Sequence, residues 1–285
     1  MTKSPSRLVA TIVLLSAAFN VASSVAPNKA YWDYFDVLRI CNSGTNQSPI
    51  NIIERDTELA TTPSKIVFVG YENPLDFEMK NDGTTAKFSL KNPSGAPTIT
   101  APHLKGDTFK FAQFHFHWGG ENKVGSEHLL SGIASPIEVH LVHFNTKYGS
   151  TIEDALAMKG VNDNLAVLGV FFDIIPCSVT AFDSFINKLS TIVDKGSKTD
   201  VTGLKLVDLL PLDTETFFSY DGSLTTPRCQ EIVSWTVFKH KNFLAQSQLE
   251  EFRKLKNSLK MPLVNNYRSV TALNKRKVKM YQNSA

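Results

Sequence analysis

Gln113-Phe114-His115-Phe116-His117-Trp118-Gly119 and, a little further on, Glu138-Val139-His140-Leu141-Val142-His143 decide how this chain is read. Side chains alternate across an extended strand. The first stretch therefore sends Gln113, His115 and His117 to one face and Phe114, Phe116 and Trp118 to the other. The second groups Glu138, His140 and Val142 on one face. Three neutral imidazoles facing one space leave a tetrahedral ion one open position. Gln113 and Glu138, each two residues from a histidine, are spaced to accept the second ring N–H of His115 and His140, fixing tautomer and orientation. Imidazole suits several transition metals, and an all-nitrogen trio in an extracellular chain points to zinc.

A single histidine among apolar residues is ordinarily a hydrogen-bonded core residue. Three at period-two spacing are harder to explain that way, because each must be desolvated and a shared ion offsets the cost. His143 has the opposite parity to His140 and reads as structural, as do His128 and His240, and His103 has no supporting pattern. A rival metal reading matches His115-x-His117-x-x-x-Glu121 to the cupins, with Glu121 as a ligand to Mn or Fe. Gly119-Gly120 argues against it by breaking the strand before Glu121.

The N-terminus reads as a secretory signal. Lys3 and Arg7 precede an apolar run from Leu8 to Phe19, and small residues follow at Ala22, Ser23, Ser24 and Ala26. Cleavage is expected after Ser23 or Ala26, and Pro27 disfavours the second. A run this short is not a membrane span, although a retained N-terminal anchor is the alternative. No hydrophobic tail closes the chain, so a secreted protein without a membrane anchor is expected. Removing residues 1–23 takes away two positive charges and no acids, so the formal charge falls from +3 to +1. That balance gives no reason to expect nucleic acid or an anionic membrane as partner. The remaining 24–285 suit one domain, expected to be monomeric. Lys275-Arg276-Lys277-Val278-Lys279 reads as a solvated final strand, with a binding patch as the alternative. The three cysteines Cys41, Cys177 and Cys229 permit one disulfide and leave one thiol. Asn46-Gln47-Ser48 is the glycosylation motif, made less favourable by Pro49.

Turn signals recur at Asn81-Asp82-Gly83, Asn92-Pro93-Ser94-Gly95, Tyr148-Gly149-Ser150 and Asp221-Gly222. Between them lie β-rich runs at 65–69, 86–90, 109–112, 165–174 and 232–238. Helical spacing predicts one helix over 182–193 and a second over 247–259 that opens on a Ser247 cap. The fold class is therefore mainly β, one domain with short peripheral helices.

Five motifs in order make the chain resemble the α-class carbonic anhydrases: Phe114 to Gly119, Gly125-Ser126-Glu127-His128, Glu138 to His143, Leu165-Ala166-Val167-Leu168-Gly169 and Ser223-Leu224-Thr225-Thr226-Pro227. The likeness runs from about Gln47 to Arg276. It implies a large twisted, mostly antiparallel central sheet and a zinc enzyme that hydrates CO2 to bicarbonate and a proton. His115, His117 and His140 would be the zinc ligands, with Gln113 and Glu138 behind them. Thr225 would accept the hydrogen bond of zinc-bound hydroxide and donate its own to Glu127, and Thr226 would help hold bicarbonate. Val142, Val167, Leu224 and Trp235 would form the apolar wall where CO2 rests. Cys41 and Cys229 would be the disulfide pair.

The chain also departs from the family pattern. Thr84 stands where fast members carry a proton-relaying histidine, and a hydroxyl does not titrate near neutral pH. The resemblance therefore implies slow, buffer-dependent proton transfer. Lys87 replaces a usual Asn or Gln, Arg228 a frequent Pro, and Thr271-Ala272 the usual Gln-Pro. Trp32-Asp33-Tyr34 matches the family's Trp-x-Tyr, but a second Trp before Cys41 is missing. The competing reading from another class is a catalytically silent relative that serves as a binding or adhesion module. It is disfavoured because the three histidines, Thr225 and Glu127 are all present.

Overall fold

The computed structural model describes residues 41 and 43–282. The expected signal segment and Trp32-Asp33-Tyr34 lie outside the described residues. The strands are β1 (Asn51–Ile52), β2 (Glu58–Leu59), β3 (Val67–Val69), β4 (Leu75–Asn81), β5 (Ala86–Leu90), β6 (Thr98–Thr100), β7 (Thr108–Trp118) and β8 (Leu129–Leu130). They continue with β9 (Ile137–Asn145), β10 (Leu165–Ile175), β11 (Lys198–Leu204), β12 (Thr216–Gly222), β13 (Val233–Phe238), β14 (Asn242–Ala245) and β15 (Lys279–Gln282). One large sheet runs in the order β11-β4-β5-β7-β9-β10-β13-β12-β15-β2, with β3, β6 and β14 as side branches. Most neighbours are antiparallel, while β10 pairs in parallel with β13 and β14, and β15 with β2. No described helix is long and apolar enough to cross a membrane.

The central strands are rich in Phe, Val, Leu and Ile because both faces of the sheet are covered there. All nine residues of β9 are buried. One apolar cluster gathers Phe88, Phe114, Phe116, Leu141 and Leu168 beneath the sheet. The other gathers Val142, Val167, Phe218, Trp235 and Val237 on the opposite face. Directly paired residues share a face, so the strand register lays the second face out in rows. His117 stands opposite Glu138 and His115 opposite His140, while Gln113 stands opposite Val142. The rows continue from His140 to Gly169, and from Val142 to Val167 and on to Trp235. Alternation along β9 gives His143 the core side of the sheet and His140 the other, and a register shift between Phe111 and Gln113 in β7 turns those two residues to opposite faces as well.

Beyond Ser43 the described residues form three short α-helices: α1 (Ile152–Ala157), α2 (Asp183–Ile186) and α3 (Gln246–Arg253). The single helix expected over 182–193 is instead α2 flanked by 3-10 turns at Thr180–Phe182 and Leu189–Ile192. Its apolar side chains Phe182, Phe185, Ile186 and Leu189 are buried as the spacing implied. The backbone is tightened by Lys188 N donating to Phe185 O (3.0 Å) and Thr191 N to Lys188 O (3.0 Å). Thr191 Oγ1 also donates to Lys188 O (2.7 Å), competing with continued helix as hydroxyl residues do. The second predicted helix begins at Gln246, not at a Ser247 cap, and stops at Arg253. Its start is held by Gln248 Oε1, which accepts from Ala245 N (3.0 Å) and Val179 N (3.1 Å). The basic 275–279 stretch is also corrected, since only Lys279 belongs to the final strand. Arg276 is no solvated charge: its Nη2 donates to Gln47 O (2.8 Å) and Ala272 O (2.9 Å), bracketing the chain.

Candidate metal centre

Adjacent strands β7 and β9 deliver the three imidazoles, and their candidate ligand nitrogens lie within 4.8 Å of one another. Each ring has one nitrogen engaged from behind. His115 Nδ1 lies 2.9 Å from Gln113 Oε1, His140 Nε2 lies 2.7 Å from Glu138 Oε1, and His117 Nδ1 lies 2.8 Å from the carbonyl of Asn266. The opposite nitrogen of each ring is thereby left toward the shared space: Nε2 of His115, Nε2 of His117 and Nδ1 of His140. His117 Nε2 is buried and has no hydrogen-bond partner. A buried polar atom without a partner costs about 1–3 kcal/mol, so this nitrogen, gathered with one from each of His115 and His140, fits a divalent cation of the imidazole-preferring kind.

The electrostatics agree. Burial, and then the neighbouring His117 and His140, hold His115 well below the usual imidazole range. Burial likewise lowers His117, with Glu127 opposing it. Both rings are thus neutral, as ligands must be. Burial pushes the Glu138 carboxyl up, but the charges and hydrogen bonds of His128 and His140 outweigh it and hold the group below the usual carboxylate range. His128, Glu138 and His140 also form a candidate ligand cluster. The hydrogen bonds decide against it. Glu138 Oε1 serves His140 and His128 Nδ1 (2.8 Å), and Oε2 accepts from Glu127 N (2.8 Å) and His128 N (2.9 Å). Both oxygens are fully used. Gly169 leaves them room, since a Cβ there would sit 3.1 Å from Glu138 Oε1.

Glu127 is almost fully buried beside this cluster. Its Oε1 accepts from Arg268 N (2.7 Å). Its Oε2 has no hydrogen-bond partner and lies 3.5 Å from His117 Nε2 and 3.8 Å from His140 Nδ1. The expected bond from Thr225 to Glu127 is therefore not made in this structure. Thr225 is itself buried, in the turn after β12. That turn is tied down on both sides. Ser48 Oγ accepts from Ser223 N (3.0 Å), Ser223 Oγ accepts from Ser48 N (2.9 Å), and Thr226 O accepts from Cys229 N (3.0 Å). Cys41 and Cys229 form the disulfide, 188 residues apart in sequence. Cys177 is free and exposed.

Val142, Val167 and Trp235 lie in one buried cluster with Leu224 packed against it. Trp235 Nε1 donates to Ser223 O (3.1 Å), which joins that wall to the Thr225 turn. Thr84 lies at the tip of the Asn81–Gly83 turn, where its hydroxyl donates to Asp82 Oδ1 (2.6 Å). Glu121 is exposed in the turn beyond β7 and belongs to neither ligand cluster, which removes the cupin arrangement. His240 is a surface residue paired with Asp213 (3.1 Å).

Nothing in the sequence pattern marks Asn266. Besides its carbonyl at His117, its Oδ1 accepts from Trp118 N (2.7 Å) and its Nδ2 donates to Thr84 O (2.9 Å) and Phe116 O (3.1 Å). It sits outside any strand and 149 residues from His117, so no period announces it. His128 is structural, as its sequence context implies, and links Glu138 to Tyr220 (Nε2 to Oη, 2.7 Å), while Tyr220 donates to Ser48 (2.9 Å).

Residues 27–282 match the model of a protein family described as eukaryotic-type carbonic anhydrase. The chain belongs to that family. Carbonic anhydrase 6 of Bos taurus is 37% identical over 243 residues, covering 82% of this chain and 72% of that protein. Carbonic anhydrase 6 of Homo sapiens is 36% identical, covering 82% of this chain and 75% of that protein. A Caenorhabditis elegans relative that also bears the carbonic anhydrase name is 35% identical across 83% of this chain and 90% of its own length. The α carbonic anhydrases are zinc enzymes, and the histidine cluster described above is a donor set that could hold such an ion.

Proposed function

We propose that this chain is a secreted zinc carbonic anhydrase that interconverts CO2 and bicarbonate, with His115, His117 and His140 as the zinc ligands. The single observation that carries the reading is the buried, unpartnered Nε2 of His117, gathered within 4.8 Å of candidate ligand nitrogens of His115 and His140. When bound there, zinc supplies an acidified water as nucleophile at neutral pH. Carbonic anhydrase is itself the standard example of a metal ion that acidifies its bound water.

The chain's own residues then do three things. Gln113, Glu138 and the Asn266 carbonyl fix the ring tautomers, so that each histidine presents a lone pair. Glu127 Oε2, buried and unpartnered, is the acceptor available to the Thr225 hydroxyl, which is thereby made an acceptor at the reacting oxygen. Val142, Val167, Leu224 and Trp235 offer CO2 an apolar wall, suited to a molecule with no charge and weak hydrogen bonding. Thr226 assists the bicarbonate. Secretion is supported by the Cys41–Cys229 bond, which suits an oxidising compartment, and by the signal-like residues 1–23.

Proton removal is the slow step in this reading. The Thr84 hydroxyl is held by Asp82 and does not titrate near neutrality. Stopped-flow CO2 hydration with zinc measured on the same sample, at low and high imidazole, tests the whole reading. Near-stoichiometric zinc with buffer-accelerated turnover is expected. Thr84→His should raise turnover at low buffer by about tenfold or more, within the range of a positioned proton donor. Bound zinc without hydration would sink the enzymatic reading and favour a binding module.

A further inference from the structure

The row that carries two of the candidate ligands does not stop at β7. Lys87 on β5 stands directly opposite His115, Lys80 on β4 opposite Lys87, and Lys198 on β11 opposite Lys80. Directly paired residues share a face, so three lysines lead from the sheet edge to the metal face in one line. The outermost is neutralised, since Lys198 Nζ lies 2.7 Å from Glu78. The next acid along, Asp200, is taken by Lys91 at 2.6 Å. Lys80 and Lys87 are both exposed, and no ion pair to a carboxylate is found for either among the described residues. Like charges directly opposite on adjacent strands are destabilising.

We propose that Lys80 and Lys87 form a subsite for a small monoanion, bicarbonate foremost, at the rim of the metal face. Neighbouring strands run about 4.8 Å apart, and lysine ammoniums on flexible stems can close on one anion from both sides. The subsite would gather product or reverse-reaction substrate beside His115, and Ser89, next on the same face, offers a hydroxyl. The identity of the anion rests on the carbonic anhydrase reading, whereas the charge argument does not.

The test uses the zinc-loaded full chain and compares wild type with Lys80→Gln/Lys87→Gln. Lys159→Gln, an exposed lysine elsewhere, serves as the charge control. The bicarbonate KM and the thiocyanate Kd by titration calorimetry should both rise about fivefold at low ionic strength and converge with wild type in about 0.5 M salt. The CO2 KM should not move, nor should either anion constant in Lys159→Gln. Unchanged bicarbonate KM and thiocyanate Kd in the double variant would overturn the subsite. A fully zinc-loaded wild type that hydrates no CO2, yet loses thiocyanate affinity with the two lysines, would keep the subsite and remove the enzymatic reading instead.

Discussion

His140 and His143 are three residues apart on one strand, both buried, and they live in different chemical worlds. His140 spends one nitrogen on Glu138 and leaves the other facing His115 and His117. His143, on the core side, spends both: Nε2 on the Tyr71 hydroxyl (2.5 Å) and Nδ1 on Ala166 O (3.3 Å). His103 resembles His143, with Nδ1 2.7 Å from Ser64 Oγ and Nε2 2.8 Å from Thr236 Oγ1. What separates a ligand candidate from a structural histidine is therefore how many of its nitrogens the fold has already satisfied, since burial is common to both.

The sharpest way to break that comparison is His117→Ala against His143→Ala. The first should lose zinc, read by metal analysis, and with it CO2 hydration. The second should keep zinc but lose about 3 kcal/mol of stability in denaturant melts, because it leaves a cavity and an orphaned Tyr71 hydroxyl. Zinc retained by His117→Ala, or lost by His143→Ala, would collapse the distinction. Next in size is Glu138→Gln, which weakens the group behind His140 and should cost about 10–100-fold in zinc affinity, measured by competition with a chelator.

A further difference appears in acid. Burial pulls His143 down to about 3 and His103 down to about 4, while the same rings in an unfolded chain titrate near 6.5. Below pH 6.5 the unfolded chain takes up protons that the fold refuses. Stability present above pH 6.5 therefore falls as pH drops toward 4, by on the order of 1 kcal/mol per pH unit for each ring. His143→Ala should lower that slope by one ring's share, and an identical slope in wild type and variant would show that His143 does not carry the cost.

Period-two alternation made the histidine trio, Gln113 and Glu138 readable, because each strand carries its own ligand and its own acceptor. It also separated His143 from His140. Alternation says nothing about residues brought in from outside the strands. Asn266 and Arg268 reach His117 and Glu127 through backbone groups of an irregular segment, and a carbonyl or amide leaves no trace in residue type. The lysine row was equally hidden, since it exists only once β11, β4 and β5 are placed in register beside β7. The broken helix at 182–193 shows a third limit: its apolar spacing correctly marked what is buried, but did not distinguish an α-helix from a chain of short turns.

The Cys41–Cys229 bond closes a covalent ring that contains His115, His117, Glu127, His140 and Thr225, leaving Trp235 outside it. One cut by a protease anywhere between the two cysteines opens the ring without releasing a piece. Such a nicked molecule would run intact on a non-reducing gel and fall into two fragments only when reduced. The parts of the centre would thus stay tethered to one another after a single cut.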